Sequence, residues 1–216
     1  MRDRYWVARG EMVEQQIRRR GLRDERVLTA VLTVPRHLFV PVTLREASYD
    51  DTPLVIGHGQ TISQPYIVAL MTSALALAGS DTVLEVGTGS GYQAAILSQL
   101  ARQIHTVELV PQLAARATRL LARLHLSNVA THVGDGSTGW PEAAPYDAII
   151  VTAAAPALPE PLIGQLKDGG RIVIPIAGDG GHQLLTLVRR LGSRTHRQVL
   201  ASVAFVPLRG QFGIPR

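Results

Sequence analysis

The sequence of 216 residues contains no cysteine. This absence excludes disulfide bonds, thiolate metal sites and a cysteine nucleophile. It is also typical of a protein that works in a reducing compartment. We therefore expect a cytoplasmic protein, and we assign no metal site.

Long hydrophobic runs are also missing. No stretch approaches the ~18 uninterrupted apolar residues that a membrane helix needs. Charges are scattered through the first ten residues, so the N-terminus lacks the apolar segment of a cleaved secretory signal. With 46% hydrophobic and 18% charged residues, the composition is that of an ordinary folded protein, and we expect no membrane partner.

Lysine is nearly absent, since Lys167 is the only one, and the formal net charge of +5 comes from arginine. A positive charge can indicate a nucleic-acid partner. Here the arginines are spread along the chain, and the one tight cluster, Arg18 to Arg20, lies at the end of a predicted helix, where cations interact favourably with the dipole. We expect a monomer without a nucleic-acid partner.

The first 79 residues show helical and irregular patterns. A helix predicted over Glu11 to Arg20 ends at Gly21, and a second follows the capping residue Asp24. Residues 36–59 lack long periodicity, so we predict irregular structure with short strands there. Pro65 then suits the first turn of a third helix.

From Ser80 onward, apolar strands alternate with helices. Helices are predicted over residues 92–101, 112–125 and 158–166. The predicted strands are Thr82 to Val86, Gln103 to Glu108, Val129 to Val133, Asp147 to Thr152, Gly170 to Ile176, Gln183 to Arg190 and Val199 to Leu208. This alternation indicates a parallel sheet covered on both faces, and the last two strands, with no helix between them, indicate an antiparallel edge.

The pattern predicts a doubly wound, mostly parallel seven-stranded α/β sheet with an N-terminal helical extension. We expect residues 1–79, with the helices and a loop before Pro65, to pack on a core formed by residues 80–216. The whole chain would then be one compact domain.

Three glycines, Gly87, Gly89 and Gly91, lie between a predicted strand and helix, where glycine allows a sharp turn and close approach to a ligand. The dinucleotide fingerprint would place the third glycine at position 92, where this chain has Tyr92. Glu85, just before the loop, is ill-placed for a pyrophosphate and suits a ligand with ammonium and sulfonium groups. These are the charged groups of S-adenosylmethionine (SAM).

Two acidic residues follow the later strands. Glu108 ends the second predicted strand of the core, about 20 residues after the loop, where a carboxylate can accept both ribose hydroxyls of an adenosine. Asp135, beside Gly136, follows the third strand and could accept a hydrogen bond from the adenine amino group. On its own, an Asp-Gly sequence after a strand is usually only a turn.

The run Leu84-Glu-Val-Gly-Thr-Gly-Ser-Gly-Tyr92 resembles the first motif of class I SAM methyltransferases, with Glu108 and Asp135 at the matching later positions. Residues 53–65, Pro-Leu-Val-Ile-Gly-His-Gly-Gln-Thr-Ile-Ser-Gln-Pro, resemble the specific motif of protein-L-isoaspartate O-methyltransferases. Further blocks similar to that family are residues 34–36, 39–40, 147–154, 166–175 and 205–208, in the family's order.

The resemblance implies a SAM-dependent methyltransferase that releases S-adenosylhomocysteine. Its acceptor would be the free α-carboxylate of L-isoaspartyl (or D-aspartyl) residues in damaged proteins and peptides, and the methyl ester would collapse to a succinimide in a repair reaction. The implied cofactor-binding residues are Glu85, Gly87, Thr88, Gly89, Ser90, Gly91, Glu108, Asp135 and Gly136.

For the substrate, the resemblance places Ser63 in the acceptor site as the catalytic residue, with Thr61, Gln64 and Val206 as further substrate contacts. The backbone near Phe205 to Leu208 would hold the peptide in an extended form. His58 lies between two glycines and is expected to be a loop residue, because an ionised carboxylate acceptor needs no strong base.

Other interpretations fit parts of the pattern. Ser63 or Gln64 could simply cap the helix that begins at Pro65, and residues 205–208 could be a buried edge strand. Another class I methyltransferase, acting on a small molecule or tRNA, would share the glycine loop. A nicotinamide-dependent oxidoreductase and a non-catalytic SAM- or RNA-binding protein are the remaining alternatives.

Overall fold

The computed structural model describes residues 4–215, apart from the side chain of Asp179. Met1 to Asp3 and Arg216, which belong to the predicted segments 1–79 and 80–216, lie outside the described residues. Among the residues described, no helix is both long and apolar enough to cross a membrane.

The N-terminal helical stretch begins earlier than predicted. Helix α1 (Trp6–Glu11) continues as a π-helical turn and then a 3-10 turn up to Arg20. It ends as predicted at Gly21, whose φ of +95° is left-handed. In α2 (Glu25–Thr33) the predicted cap is confirmed, because the Asp24 carboxylate accepts hydrogen bonds from the first amides of the helix at 3.1 and 3.3 Å.

Three short 3-10 turns fill the irregular segment after α2, and a hairpin follows them. Strands β1 (Leu54–Gly57) and β2 (Gln60–Ile62) pair antiparallel, and the turn between them contains His58 with a φ of +54°. Helix α3 (Pro65–Ala74) has Pro65 in its first turn, as predicted. The hairpin brings Thr61 and Ser63 in front of the main sheet.

The remaining strands form one sheet in the order β5-β4-β3-β6-β7-β8-β9, in which β3 to β7 are parallel and β8 and β9 are antiparallel. The predicted seven-stranded α/β sheet with an antiparallel edge is confirmed. The strands are β3 (Thr82–Val86), β4 (Gln103–Glu108), β5 (Val129–Val133), β6 (Tyr146–Val151), β7 (Leu166–Ala177), β8 (Gln183–Leu191) and β9 (Arg194–Val203). The helices are α4 (Tyr92–Leu97), α5 (Pro111–Arg123) and α6 (Glu160–Gly164).

The last predicted strand, Val199 to Leu208, is wrong at both ends, since β9 begins at Arg194 and stops at Val203. The Gln183 side chain explains why the chain leaves the sheet here. Its amide donates to the Phe205 carbonyl (3.1 Å), and its oxygen accepts from the Phe205 amide (2.6 Å). The chain then crosses to the loop after β6, where Ala154 exchanges hydrogen bonds of 2.8 Å with Val206 and Leu208.

The strand order reverses between β3 and β6. From β3 the chain proceeds to β4 and β5 on one side, whereas β6 to β9 lie on the other. Such a reversal opens a crevice at the carboxyl ends of the strands. This crevice is where the glycine loop, the end of β4 and the segment 206–209 meet.

Candidate active site

A cleft lies at the carboxyl ends of β3, β4 and β6. It is bounded by the hairpin residues 60–63, the glycine loop and the segment 206–209. Nine of the predicted site residues line it: Thr61, Ser63, Gly87, Thr88, Gly89, Ser90, Glu108, Gly136 and Val206. The fold therefore brings the two sequence motifs, residues 53–65 and 84–92, to one cavity.

Gly87 begins the turn that forms the floor of the cleft. Its φ is +96°, and a Cβ there would lie 2.4 Å from the hydroxyl oxygen of Thr152. That hydroxyl donates to the Gly87 carbonyl at 2.7 Å. Only glycine fits, because a side chain would overlap the residue that follows the neighbouring strand β6.

Glu108, at the end of β4, is nearly buried and ties the glycine loop to its strand. One carboxylate oxygen accepts from the Gly89 amide at 2.7 Å and the other from the Val110 amide at 2.9 Å. Since a carboxylate oxygen can accept two hydrogen bonds, each retains one position. The side chain can therefore hold two neighbouring hydroxyls, such as those of a ribose.

Glu85 does not line the cleft, although the sequence predicted it among the cofactor-binding residues. Its carboxyl is fully buried beneath the loop, where Oε2 accepts from the Thr106 hydroxyl at 2.5 Å. Thr106 in turn lies 2.6 Å from the hydroxyl of Thr88, which does line the cleft. Burial raises the pKa of Glu85 to about 8. Its contact with the cleft is thus indirect, through two threonines.

Asp135 is also absent from the cleft lining. One of its oxygens accepts from the amide and hydroxyl of Ser137, at 2.9 and 2.6 Å. The other accepts from the Gln211 amide at 2.7 Å. The carboxylate caps a turn and holds the C-terminal segment, and its hydrogen bond to an adenine amino group stays a prediction.

Two more predicted residues lie just outside the cleft lining. Gly91 is the residue before α4 and has a φ of +87°. Gln64 occupies the capping position of α3, but its side chain makes no capping hydrogen bond. The interpretation of Ser63 or Gln64 as a side-chain cap therefore has no support in the described structure.

Ser63 is half-buried at the rim between the hairpin and α3. Its carbonyl accepts a hydrogen bond from Arg36 Nη2 at 2.8 Å. Within residues 4–215, its hydroxyl has no hydrogen-bond partner in the protein. The hydroxyl is available to a ligand in the cleft.

The sequence interpretation missed several cleft residues, namely Gln60, Met71, Gln93, Thr152 and Arg209. Thr152 had a signal, since it ends a predicted strand, and the carboxyl ends of parallel strands form the ligand crevice of such a sheet. Arg209 had none, because the residues after Leu208 could not be placed from the sequence. In the part of the chain that the structure describes, no group of three or more metal-ligating side chains is present.

Three features define a SAM-dependent methyltransferase of the class I fold. They are the parallel sheet with its reversal of strand order, the glycine loop with tyrosine at position 92, and Glu108 at the end of β4. The family model of protein-L-isoaspartate(D-aspartate) O-methyltransferase matches residues 8–213. The chain belongs to this family, as the resemblance predicted.

Individual relatives agree with this assignment. A protein-L-isoaspartate O-methyltransferase of Methanoculleus marisnigri is 55% identical over 205 residues, which is 95% of this chain and 93% of that protein. A solved protein-L-isoaspartate O-methyltransferase superposes with a TM-score of 0.83 at 30% identity, over 92% of this chain and 65% of that one. A putative enzyme of the same name from Plasmodium falciparum, solved with S-adenosyl-L-homocysteine, has a TM-score of 0.79 at 26% identity, with coverages of 93% and 97%.

Proposed function

We propose that this cleft methylates the free α-carboxylate of L-isoaspartyl residues in damaged proteins and peptides, with Ser63 at the acceptor carboxylate and the glycine loop at the cofactor. The observation that supports this arrangement is the single cavity in which Ser63 and Thr61 face Gly87 to Ser90. The resulting ester collapses to a succinimide, which reopens in part as normal aspartate.

The cofactor side of the cleft is assigned to the residues of its floor. When bound, SAM supplies a methyl group activated by a sulfonium. Glu108 holds the ribose hydroxyls with its two free acceptor positions, and Gly87 permits close approach of the backbone. The other proposed contacts are Thr88, Gly89, Ser90 and Gly136, which line the cleft. Glu85, Gly91 and Asp135 support this surface from behind it.

The acceptor carboxylate needs orientation and not activation. An α-carboxyl group has a pKa near ~3.5, so at neutral pH it is already ionised and nucleophilic. The free Ser63 hydroxyl donates one hydrogen bond to it and fixes the attacking oxygen. A hydrogen bond to a charged group is worth about 1.5–3 kcal/mol, or roughly one to two decades in rate if it is fully formed only in the transition state.

The peptide around the acceptor is held by the rim of the cleft. The Val206 amide has no hydrogen-bond partner among residues 4–215, while its carbonyl is bonded to Ala154. This amide is therefore free to pair with an extended peptide. We assign Thr61, which is exposed at the rim, and Gln64 as further contacts.

Transfer of a labelled methyl group from SAM to a synthetic isoaspartyl peptide tests the function. We expect base-labile incorporation, which an ester gives, and none with the matching normal aspartyl peptide. Ser63→Ala should reduce kcat by about tenfold or more, whereas Ser193→Ala, in the distant β8–β9 turn, should not. Base-stable incorporation into RNA or an amine would contradict the proposal.

We also propose that residues 1–79 and 80–216 act as one compact unit, and that the protein works as a cytoplasmic monomer without a nucleic-acid partner. A continuous buried cluster that includes Met12, Ile17, Val83 and Leu187 supports the first point. The dispersed arginines support the proposal that there is no nucleic-acid partner. The absence of cysteine supports the proposed cytoplasmic location. Light scattering of the purified protein would test the monomer.

A further inference from the structure

Arg36 is a buried arginine in the irregular segment after α2, and its side chain is 0% exposed. Among the side chains that the structure describes, no carboxylate lies within 4.0 Å of its guanidinium. Nε donates to the Ser48 carbonyl at 2.7 Å, and Nη2 donates to the Ser63 carbonyl at 2.8 Å. The guanidinium also lies 4.9 Å from the ring centroid of Tyr92. One side chain thus joins the irregular segment, the acceptor loop and the first residue of α4.

Burial of the Arg36 guanidinium lowers the stability of the folded protein, which a purely structural contact would not require. A buried cation without a carboxylate in direct contact is unfavourable, and burial lowers the pKa of Arg36, although the Tyr92 hydroxyl and the charge of Asp51 partly offset this effect. Its Nη1 and the Tyr92 hydroxyl each lack a close hydrogen-bond partner among the described residues, and the two side chains interact electrostatically. An apolar side chain of similar volume would fill the same space without a buried charge. The hydrogen bonds that the guanidinium makes are what distinguish arginine here.

The contacts of Arg36 lead to the cleft. Tyr92 and Ser63 both line it, and the Ser63 hydroxyl has no protein partner within residues 4–215 to orient it. The position of that hydroxyl is therefore determined by the Ser63 backbone. A charge-assisted hydrogen bond to the Ser63 carbonyl restricts the peptide plane next to the hydroxyl.

We propose that Arg36 is a positioning residue of the acceptor site, which fixes the Ser63 backbone from behind and so aims the Ser63 hydroxyl at the substrate carboxylate. This proposal rests on the proposed function, because it assigns Arg36 an effect only through Ser63. Arg36 itself does not touch the reacting atoms.

A double-mutant cycle tests the proposal. The kcat and KM for an isoaspartyl peptide are measured for wild type, Arg36→Met, Ser63→Ala and the double variant, together with the affinity for S-adenosylhomocysteine. A misplacement of about 1 Å can cost up to about 10²-fold in rate, so Arg36→Met should lower kcat/KM by several-fold or more, but by no more than Ser63→Ala does. In the Ser63→Ala background the same change should cost less than about threefold, because interacting residues are not additive. Cofactor affinity should stay near the wild-type value.

Arg190→Met is the matched control. Arg190 is a half-buried arginine whose hydrogen bonds within the described residues go to backbone carbonyls away from the cleft, those of Ile163, Gly164, Leu166 and Gly192. Its loss should lower the melting temperature with kcat/KM retained. If Arg36→Met does not fold, Arg36→Lys keeps the charge with a single nitrogen and should retain cofactor affinity while losing kcat.

Three results would overturn the inference. Equal losses from Arg36→Met with and without the Ser63 hydroxyl would make Arg36 an independent structural residue. A parallel loss of cofactor affinity in Arg36→Lys would mean general damage to the cleft. A wild-type protein that binds S-adenosylhomocysteine but does not methylate the peptide would instead refute the proposed function, and the assignment of Arg36 with it.

Discussion

The carboxylate of Glu108 accepts a hydrogen bond from the Gly89 amide at 2.7 Å, which joins the end of β4 to the middle of the glycine loop. The same carboxylate accepts from the Val110 amide at 2.9 Å. Glu108 therefore has two tasks in the proposed site, since it shapes the loop and offers its remaining acceptor positions to a ribose.

Replacement of Glu108 by alanine should weaken S-adenosylhomocysteine binding by more than tenfold. The change removes two charge-assisted hydrogen bonds within the protein and those proposed to the ribose, each worth about 1.5–3 kcal/mol when fully formed. Isothermal titration calorimetry measures the effect. Glu142→Gln, at an exposed carboxylate outside the cleft, is the control, and unchanged affinity in Glu108→Ala would remove Glu108 from the cofactor site.

Gly87→Ala should destabilise the protein by more than about 2 kcal/mol, because it combines a strained φ with a steric overlap. The overlap is with Thr152, whose hydroxyl oxygen would lie 2.4 Å from the new Cβ. Urea unfolding gives the free energy. Gly192→Ala is the control, since its φ is +62° but its Cβ would meet open space. Adding Thr152→Ala to Gly87→Ala should recover part of the loss, and no recovery would count against the steric explanation.

Glu85 should make the cofactor-free protein less stable as pH rises. Its pKa is raised by burial from an ordinary 4.5 to about 8, so between these values the folded state binds more protons than the unfolded state. The contribution is fully present below pH 4.5 and is lost as pH rises through about 8, with a slope of about 1.4 kcal/mol per pH unit.

The stability of wild type and Glu85→Gln from pH 5 to 9 isolates this effect. The glutamine does not titrate, so the difference between the two unfolding free energies should change with pH in the direction stated. Parallel curves would show that the carboxyl of Glu85 is ionised in the folded protein at neutral pH.

The ion pair between Arg171 and Asp81 should contribute strongly to stability, because both side chains are largely buried. Arg171 Nη2 lies 2.6 Å from Asp81 Oδ2, with exposures of 14% and 8%. Asp81→Asn removes the carboxylate in direct contact with the arginine, leaves only the more distant charge of Asp147, and should cost about 3 kcal/mol in urea unfolding. The control is Glu25→Gln, at an exposed carboxylate that pairs with Arg18, and it should change the free energy of unfolding little. A similar small effect at Asp81 would contradict the importance of burial.

Local features were predictable because their causes lie within a few residues. Gly21 ends its helix with a left-handed φ, and Asp24 caps the next one through amides two and three residues away. The apolar strands predicted the parallel sheet, since only burial on both faces explains such runs. The family was also predictable, because its motifs are contiguous in the sequence.

Features that depend on distant partners were not predictable. Asp135 follows a strand as expected, but its carboxylate is taken by Gln211, 76 residues later. Glu85 precedes the glycine loop, yet it lies beneath it against Thr106 on the next strand. The end of β9 depends on the Gln183 amide, and nothing near Val203 in the sequence indicates it.

The sequence by itself determined the sheet type, the glycine loop with its SAM preference and the family, because each depends on residue order and spacing. Only the tertiary structure decided which of those residues reach the cleft. It placed Glu108 at the loop, left Asp135 and Glu85 outside the cleft lining, and set the buried Arg36 behind Ser63. The physical reason is that hydrogen bonds between segments far apart in the chain orient these side chains, and such pairings exist only once the chain has folded.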